Sequence, residues 1–167
     1  MARFTATVMV GAPASRAWAA LVDWPAHARW VPLTRVEVLT ATAEGVGARF
    51  CGRTGVGPLG FDDPMEVVRW EPPQGTGAGH CRVVKQGRVV LGEAWFDVVP
   101  LAPDRCRVDW TEDVEVVPVV LTRPLRRLLE PMGRLAFRST LRRMAAEVEA
   151  AGTAEGTAAV EGGGGDG

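Results

Sequence analysis

The chain has 167 residues, 47% of them apolar, and a formal net charge of −1 from 19 Lys and Arg against 20 Asp and Glu. A chain this long folds as one domain that buries about 70% of its unfolded surface, so its core needs no disulfide or metal staples. The charge balance excludes a protein that holds nucleic acid electrostatically, and no apolar run approaches the ~20 residues of a membrane span. Cys51, Cys81 and Cys106 lie apart, with no CxxC pair or Cys/His cluster, and His27 and His80 are distant in sequence, so neither a metal-ligand set nor a cofactor site is legible. The opening Met-Ala-Arg-Phe-Thr carries no apolar signal segment, and the expectation is a reduced, cytoplasmic protein without stable membrane insertion.

Phe4, Ala6, Val8 and Val10 alternate with Arg3, Thr5 and Thr7, the period of a half-buried strand. Gly11-Ala-Pro13 ends it, and Pro13 suits the first turn of a helix whose apolar face is Ala14, Trp18, Leu21 and Val22. Trp24-Pro25 stops that helix, because the residue before a proline is pushed out of the α region. A short helical turn through His27 follows. From Leu33 the pattern is strands and turns: Val36 and Val38, then Ala48 and Phe50, then Pro64 to Trp70, then 80–86 and 91–99 around Gly87-Arg88, then the clean alternation of Arg105 to Glu115. Six strands in succession joined by short turns form an antiparallel meander.

Leu121 to Ala150 reads as a long amphipathic helix. Its apolar stripe runs through Leu121, Leu125, Leu128, Met132 and Leu135 and on through Phe137, Leu141, Met144 and Val148. Pro124 suits its first turn, whereas Pro131 should kink or restart it near Leu129-Glu130 and leave Leu121 to Leu129 free to shift. Residues 1–150 then make one domain. Residues 151–167, glycine-rich and acidic through Glu155, Glu161 and Asp166, are expected to be a disordered tail.

Seven segments in this order carry a resemblance: Val10-Gly-Ala-Pro13-Ala-Ser-Arg-Ala-Trp18, Asp23-Trp24-Pro25, Trp30-Val-Pro32, Gly47-Ala-Arg-Phe50, Val67-Val-Arg-Trp70-Glu-Pro-Pro73, Gly92-Glu-Ala-Trp-Phe96-Asp-Val98 and Arg107-Val-Asp-Trp110-Thr-Glu112. Together they resemble the START-like, or SRPBCC, superfamily, and within it the bacterial polyketide cyclase/dehydrase and lipid-transport proteins. No one motif is diagnostic; order and spacing over residues 3–150 carry the likeness. The resemblance implies an α+β helix-grip fold, a curved seven-stranded antiparallel sheet around a long C-terminal helix with two short helices after the first strand. It also implies an apolar cavity between sheet and helix, which would make residues 1–150 a ligand-binding domain.

A curved sheet facing a single helix leaves a void unless large side chains fill its concave side. The strand phases turn Phe50, Met65, Val67, Phe96, Val98, Val108 and Trp110 inward, with Leu125, Leu128, Met132 and Leu135 from the helix, and Trp30 joins the expected ligand-binding set. The phase of Pro64 to Trp70 stays open, because Val68 and Trp70 form an equally apolar alternative. A dry, empty void of ~300 Å³ would cost ~7 kcal/mol, comparable with a net stability of roughly 5–15 kcal/mol. Either the pocket is wet, or it is small, or something apolar occupies it, and an apolar occupant is the expectation.

Glu112 shares the apolar phase of Val108 and Trp110, and an inward carboxylate has its pKa raised or finds a partner, which suits acid/base work. The plainer reading is a strand that leaves the core by Glu112. Arg69 faces inward with Val67, where it would orient a ligand carbonyl or carboxylate, or outward with Glu66. His27, between Trp24 and Trp30, either gates the pocket as a base or sits on the surface of a short helix; His80 reads as exposed. Asp62 and Asp63 read as turn residues before Pro64. The helix arginines Arg123, Arg126, Arg127, Arg134, Arg138, Arg142 and Arg143 either dock an acidic carrier protein or anionic lipid heads, or form a solvated face. Binding of a hydrophobic small molecule such as a lipid, polyketide or isoprenoid ranks ahead of a polyketide aromatase/cyclase or dehydratase, whose catalytic candidates are Glu112, Arg69 and His27. A partner-binding stress or co-chaperone module ranks third.

Overall fold

Alternating segments become strands and the 3.6-residue periods become helices. β1 (Ala2–Val10) is followed by α1 (Ala14–Val22), a 3-10 turn over Trp24–Ala26 and α2 (His27–Trp30). β2 (Thr34–Val38), β3 (Arg49–Thr54), β4 (Phe61–Glu71), β5 (Gly79–Gln86), β6 (Val90–Ala102) and β7 (Arg105–Val116) come next, and α3 (Arg126–Glu161) closes the order. The computed structural model describes residues 2–55, 57, 60–117 and 126–161, the side chains of 2, 126–130 and 155–161 excepted.

The strands form one antiparallel sheet in the order β1-β7-β6-β5-β4-β3-β2, so the meander closes by pairing its last strand with the first. Phe4 lies opposite Glu112 and Ala6 opposite Trp110. This is the α+β helix-grip arrangement expected from the sequence, with α3 laid along β1 and touching α1 and α2. No helix among the described residues is long and apolar enough to cross a membrane.

β4 answers both alternatives for its phase. A bulge between Val67 and Arg69 inserts one residue, so Val67, opposite Val83, and Trp70, opposite Cys81, both belong to the inner face. Val67 is fully buried and Val68 is exposed. β4 also begins earlier than expected, at Phe61, which makes Asp62 and Asp63 strand residues rather than turn residues. At the helical end of the chain, α1 stops at Val22, and Asp23 caps the following turn by accepting from the Ala26 N–H at 3.4 Å.

α3 departs from the sequence expectation in three ways. It passes through Pro131 as one continuous helix, without a restart; the missing N–H of Pro131 removes a single i→i−4 bond, and the turns on either side continue. Leu121, Arg123, Pro124 and Leu125, and with them most of the proposed lead-in segment, lie outside the described residues. The helix also continues past Ala150 to Glu161, into the segment read as a tail. Just before that segment Glu149 accepts from the Gly11 N–H at 2.6 Å, and within it the Thr153 hydroxyl donates to the Ala150 carbonyl at 2.8 Å.

The third departure concerns which face is buried. Leu141, Met144 and Val148 are in the core and Phe137 packs against it, whereas Met132 and Leu135 are 58% and 70% exposed. At about 100° per residue, Met132 and Phe137 are ~140° apart around the helix, so the apolar positions make two stripes and not one. Gly133 continues the inner stripe: a Cβ there would come within 2.9 Å of the Phe4 ring.

Candidate functional site

Between the concave face of the sheet and the helices lies a cavity of about 150 Å³. Its walls include the aromatic side chains of Trp24, Phe50, Phe96, Trp110 and, from α3, Phe137. Trp24 stacks on Phe50 with ring centroids 4.1 Å apart, and Phe96 stacks on Trp110 at 5.3 Å. Gly52 on β3 and Ala94 on β6 also line it, and their small side chains leave the space that the rings enclose.

One end of the cavity is polar. Asp63 on β4, Lys85 on β5 and Glu112 on β7 all line it, with side chains only 12%, 8% and 6% exposed. The Lys85 ammonium donates to Asp63 Oδ2 at 2.7 Å and lies 3.8 Å from Glu112 Oε2. Residues Gly92 and Ala94 of β6 stand between β5 and β7, opposite Lys85 and Glu112 respectively, and their small size lets the lysine chain reach across that strand. The Trp110 indole N–H donates to Glu112 Oε1 at 2.9 Å. Asp63 Oδ1 is buried with no hydrogen-bond partner.

The electrostatics follow from this geometry. Burial pushes the Glu112 carboxyl above its ordinary range, and the nearby ammonium and indole N–H offset that only in part. For Lys85, burial works against the ammonium, but Glu112 and Asp63 outweigh it and the pKa rises. Lys85 is therefore a cation, not an amine nucleophile. Burial lowers the pKa of His27, which lines the same cavity. Its Nε2–H donates to the Leu21 carbonyl at 2.8 Å, which fixes the neutral tautomer with Nδ1 as an acceptor. Cys81, also in the wall, has its thiol pushed up to about 12 by burial and stays protonated. Among the described residues no group of three or more His, Cys, Asp or Glu is placed to hold a metal ion.

Of the residues singled out from sequence, Glu112, His27, Phe50, Met65, Phe96 and Trp110 meet at this cavity. Val67, Val98 and Val108 are fully buried in the core but do not line it. Trp30 is buried elsewhere, its indole N–H donating to Glu147 Oε2 at 2.8 Å. Arg69 lies outside: its guanidinium grips the exposed Glu71 through two hydrogen bonds of 2.9 Å, because the bulge at Val67 turns it outward. Met132 is exposed, and Leu125 and the Leu128 side chain lie outside the described residues. His80 sits partly buried beside Asp97, with its Nδ1–H donating at 2.7 Å. Arg134, Arg138, Arg142 and Arg143 are exposed.

Sequence reasoning missed Asp63, Lys85, Trp24 and Phe137. The period of two that placed Met65 and Val67 inward reaches back to Asp63, and the period through Cys81 and Val83 reaches Lys85. What the site can do chemically is limited and specific. An ammonium can polarise a carbonyl, a carboxyl with a raised pKa can give or take a proton, and aromatic side chains can hold a ring.

A family model described as polyketide cyclase / dehydrase and lipid transport matches residues 1–149. Solved structures share the fold. A protein of Thermus thermophilus superposes with a TM-score of 0.71 at 18% identity, covering 89% of this chain and 98% of its own. The Zhui aromatase/cyclase of Streptomyces sp. R1128 gives 0.66 at 20% identity, with 88% and 93% covered. A START superfamily protein of Mycobacterium smegmatis gives 0.60 at 21% identity, with 90% and 96% covered. No curated protein sequence matches the chain.

Proposed function

The chain belongs to the polyketide cyclase/dehydrase and lipid transport family, and from that premise we propose that it binds a hydrophobic small molecule between sheet and helix, as a carrier or by sequestration. The observation that carries this reading is the cavity itself: aromatic side chains around about 150 Å³, with the polar groups gathered at one end. That volume is the size known to accept a single aromatic ring in an engineered apolar cavity. Lipids, polyketides and isoprenoids all present apolar groups of that width. Denaturing mass spectrometry of the purified protein should release a small apolar molecule, and apolar aromatic probes should change the emission of Trp24 and Trp110. No released species together with unchanged emission would overturn the proposal.

A second reading, an aromatase/cyclase or dehydratase acting in the same cavity, is favoured by one observation, the pairing of Glu112 with the Lys85 cation inside an apolar wall. In such a reaction Lys85 would polarise a ketone and Glu112 would move the α proton. Glu112→Gln separates the two readings. A carrier keeps its ligand in that variant, whereas an enzyme keeps binding and loses turnover.

A further inference from the structure

The polar end of the cavity has a definite hydrogen-bonding bias. Its side-chain N–H donors are already engaged: Lys85 with Asp63 Oδ2, the Trp110 indole with Glu112, and His27 Nε2 with the Leu21 carbonyl. The Thr34 and Thr54 hydroxyls, which also line the cavity, bond to each other at 2.9 Å. What remains is an acceptor, since Asp63 Oδ1 is buried without a partner. An unsatisfied buried carboxylate oxygen costs free energy that a donor on a ligand would recover. The charge balance points the same way. Two carboxyl groups surround one ammonium, and whatever the protonation state of Glu112, Asp63 already holds Lys85. A ligand carboxylate entering here would compete with Asp63 and Glu112 for the one ammonium and would sit against Asp63.

We propose that the ligand's buried end is a neutral hydroxyl on an aromatic or enolic ring, which donates to Asp63 Oδ1, and that the cavity rejects acidic lipids such as free fatty acids. This rests on the reading of the cavity as a ligand site and narrows its substrate class. Ring and hydroxyl have separate places, the ring between the Phe96–Trp110 stack and Phe50, the hydroxyl toward β4.

Isothermal titration calorimetry of the full chain with p-xylene, p-cresol, 4-methylanisole and 4-methylbenzoate tests it, because the four differ little except at one substituent. p-Cresol should bind about tenfold tighter than 4-methylanisole, whose oxygen has no proton to donate, as one hydrogen bond to a charged acceptor implies. 4-Methylbenzoate should bind at least about tenfold more weakly than p-cresol. In Asp63→Asn the advantage of p-cresol over 4-methylanisole should vanish. If that variant does not fold, the wild-type series decides alone. Binding of p-xylene with no preference for p-cresol over 4-methylanisole, or equal binding of 4-methylbenzoate, overturns the inference and leaves the cavity reading standing. Binding of none of the four overturns the cavity reading, and the inference with it.

Discussion

Glu112 carries a pH dependence whose sign can be worked out. Its carboxyl has a folded pKa above the ordinary 4.5 because burial outweighs Lys85 and the Trp110 N–H. Such a group binds more protons folded than unfolded, so its stabilising contribution is complete below 4.5 and is lost as pH rises through the folded pKa. Glu112→Gln mimics the protonated group and removes that loss. Thermal unfolding across pH should therefore show the variant gaining on wild type as pH rises from 4.5, by about 1.4 kcal/mol for each unit of pKa elevation. His27 has the opposite sign, since a depressed pKa gives stability that is lost on acidification below 6.5, but it is common to both proteins and cancels in the difference. A gap that does not change with pH would mean a solvated Glu112. The inward phase of Glu112 is legible in the alternation of Arg105 to Glu115. Its partners are not, because Asp63 and Lys85 stand on other strands and no spacing along the chain joins them. Period two does place both inward, but buried charge is so costly without partners that a turn is the simpler reading for Asp63.

At the scale of elements, α3 shows why one helix can be recognised while its buried face is mistaken. The apolar residues before and after Leu135 obey helical spacing, yet they belong to stripes on different sides, and only contact with β1 decides between them. Phe4 and the absence of a side chain at Gly133 bring the helix onto β1 along the second stripe. Two chemically identical substitutions separate the faces. Leu141→Ala, at a position 2% exposed, should cost about 2–5 kcal/mol. Leu135→Ala, at 70% exposed, should stay within about 0.5 kcal/mol of wild type. Urea denaturation of both variants measures the difference, and equal losses would mean that the first stripe is also packed. The bulge in β4 is the strand counterpart. Period two cannot pass through an inserted residue, so Arg69 falls outside although Val67 and Trp70 both face in.

For the whole molecule the legible part is the topology. Six short-turned strands can only zigzag, and the first strand then completes the sheet beside the last. What the chain does not announce is how much of the concave side stays open, because that depends on a few small residues set among large ones. Emptied and dry, a void of about 150 Å³ would cost about 4 kcal/mol, a sizeable share of a net stability of roughly 5–15 kcal/mol. An occupant or a filling side chain should therefore stabilise the fold. Gly52 is the position that tests this. A Cβ built there meets the Met65 methyl at 3.6 Å and the Asp63 carbonyl at 3.9 Å, both ordinary contacts, and its backbone is not in the left-handed region. Valine suits a strand and removes the glycine's excess unfolded freedom. Gly52→Val should leave the thermal midpoint unchanged or raised while weakening uptake of p-xylene by about tenfold or more, as its methyl groups occupy the space a ring would take. If the variant is as stable as wild type and takes up p-xylene equally well, the ring does not sit between β3 and the Phe96–Trp110 stack.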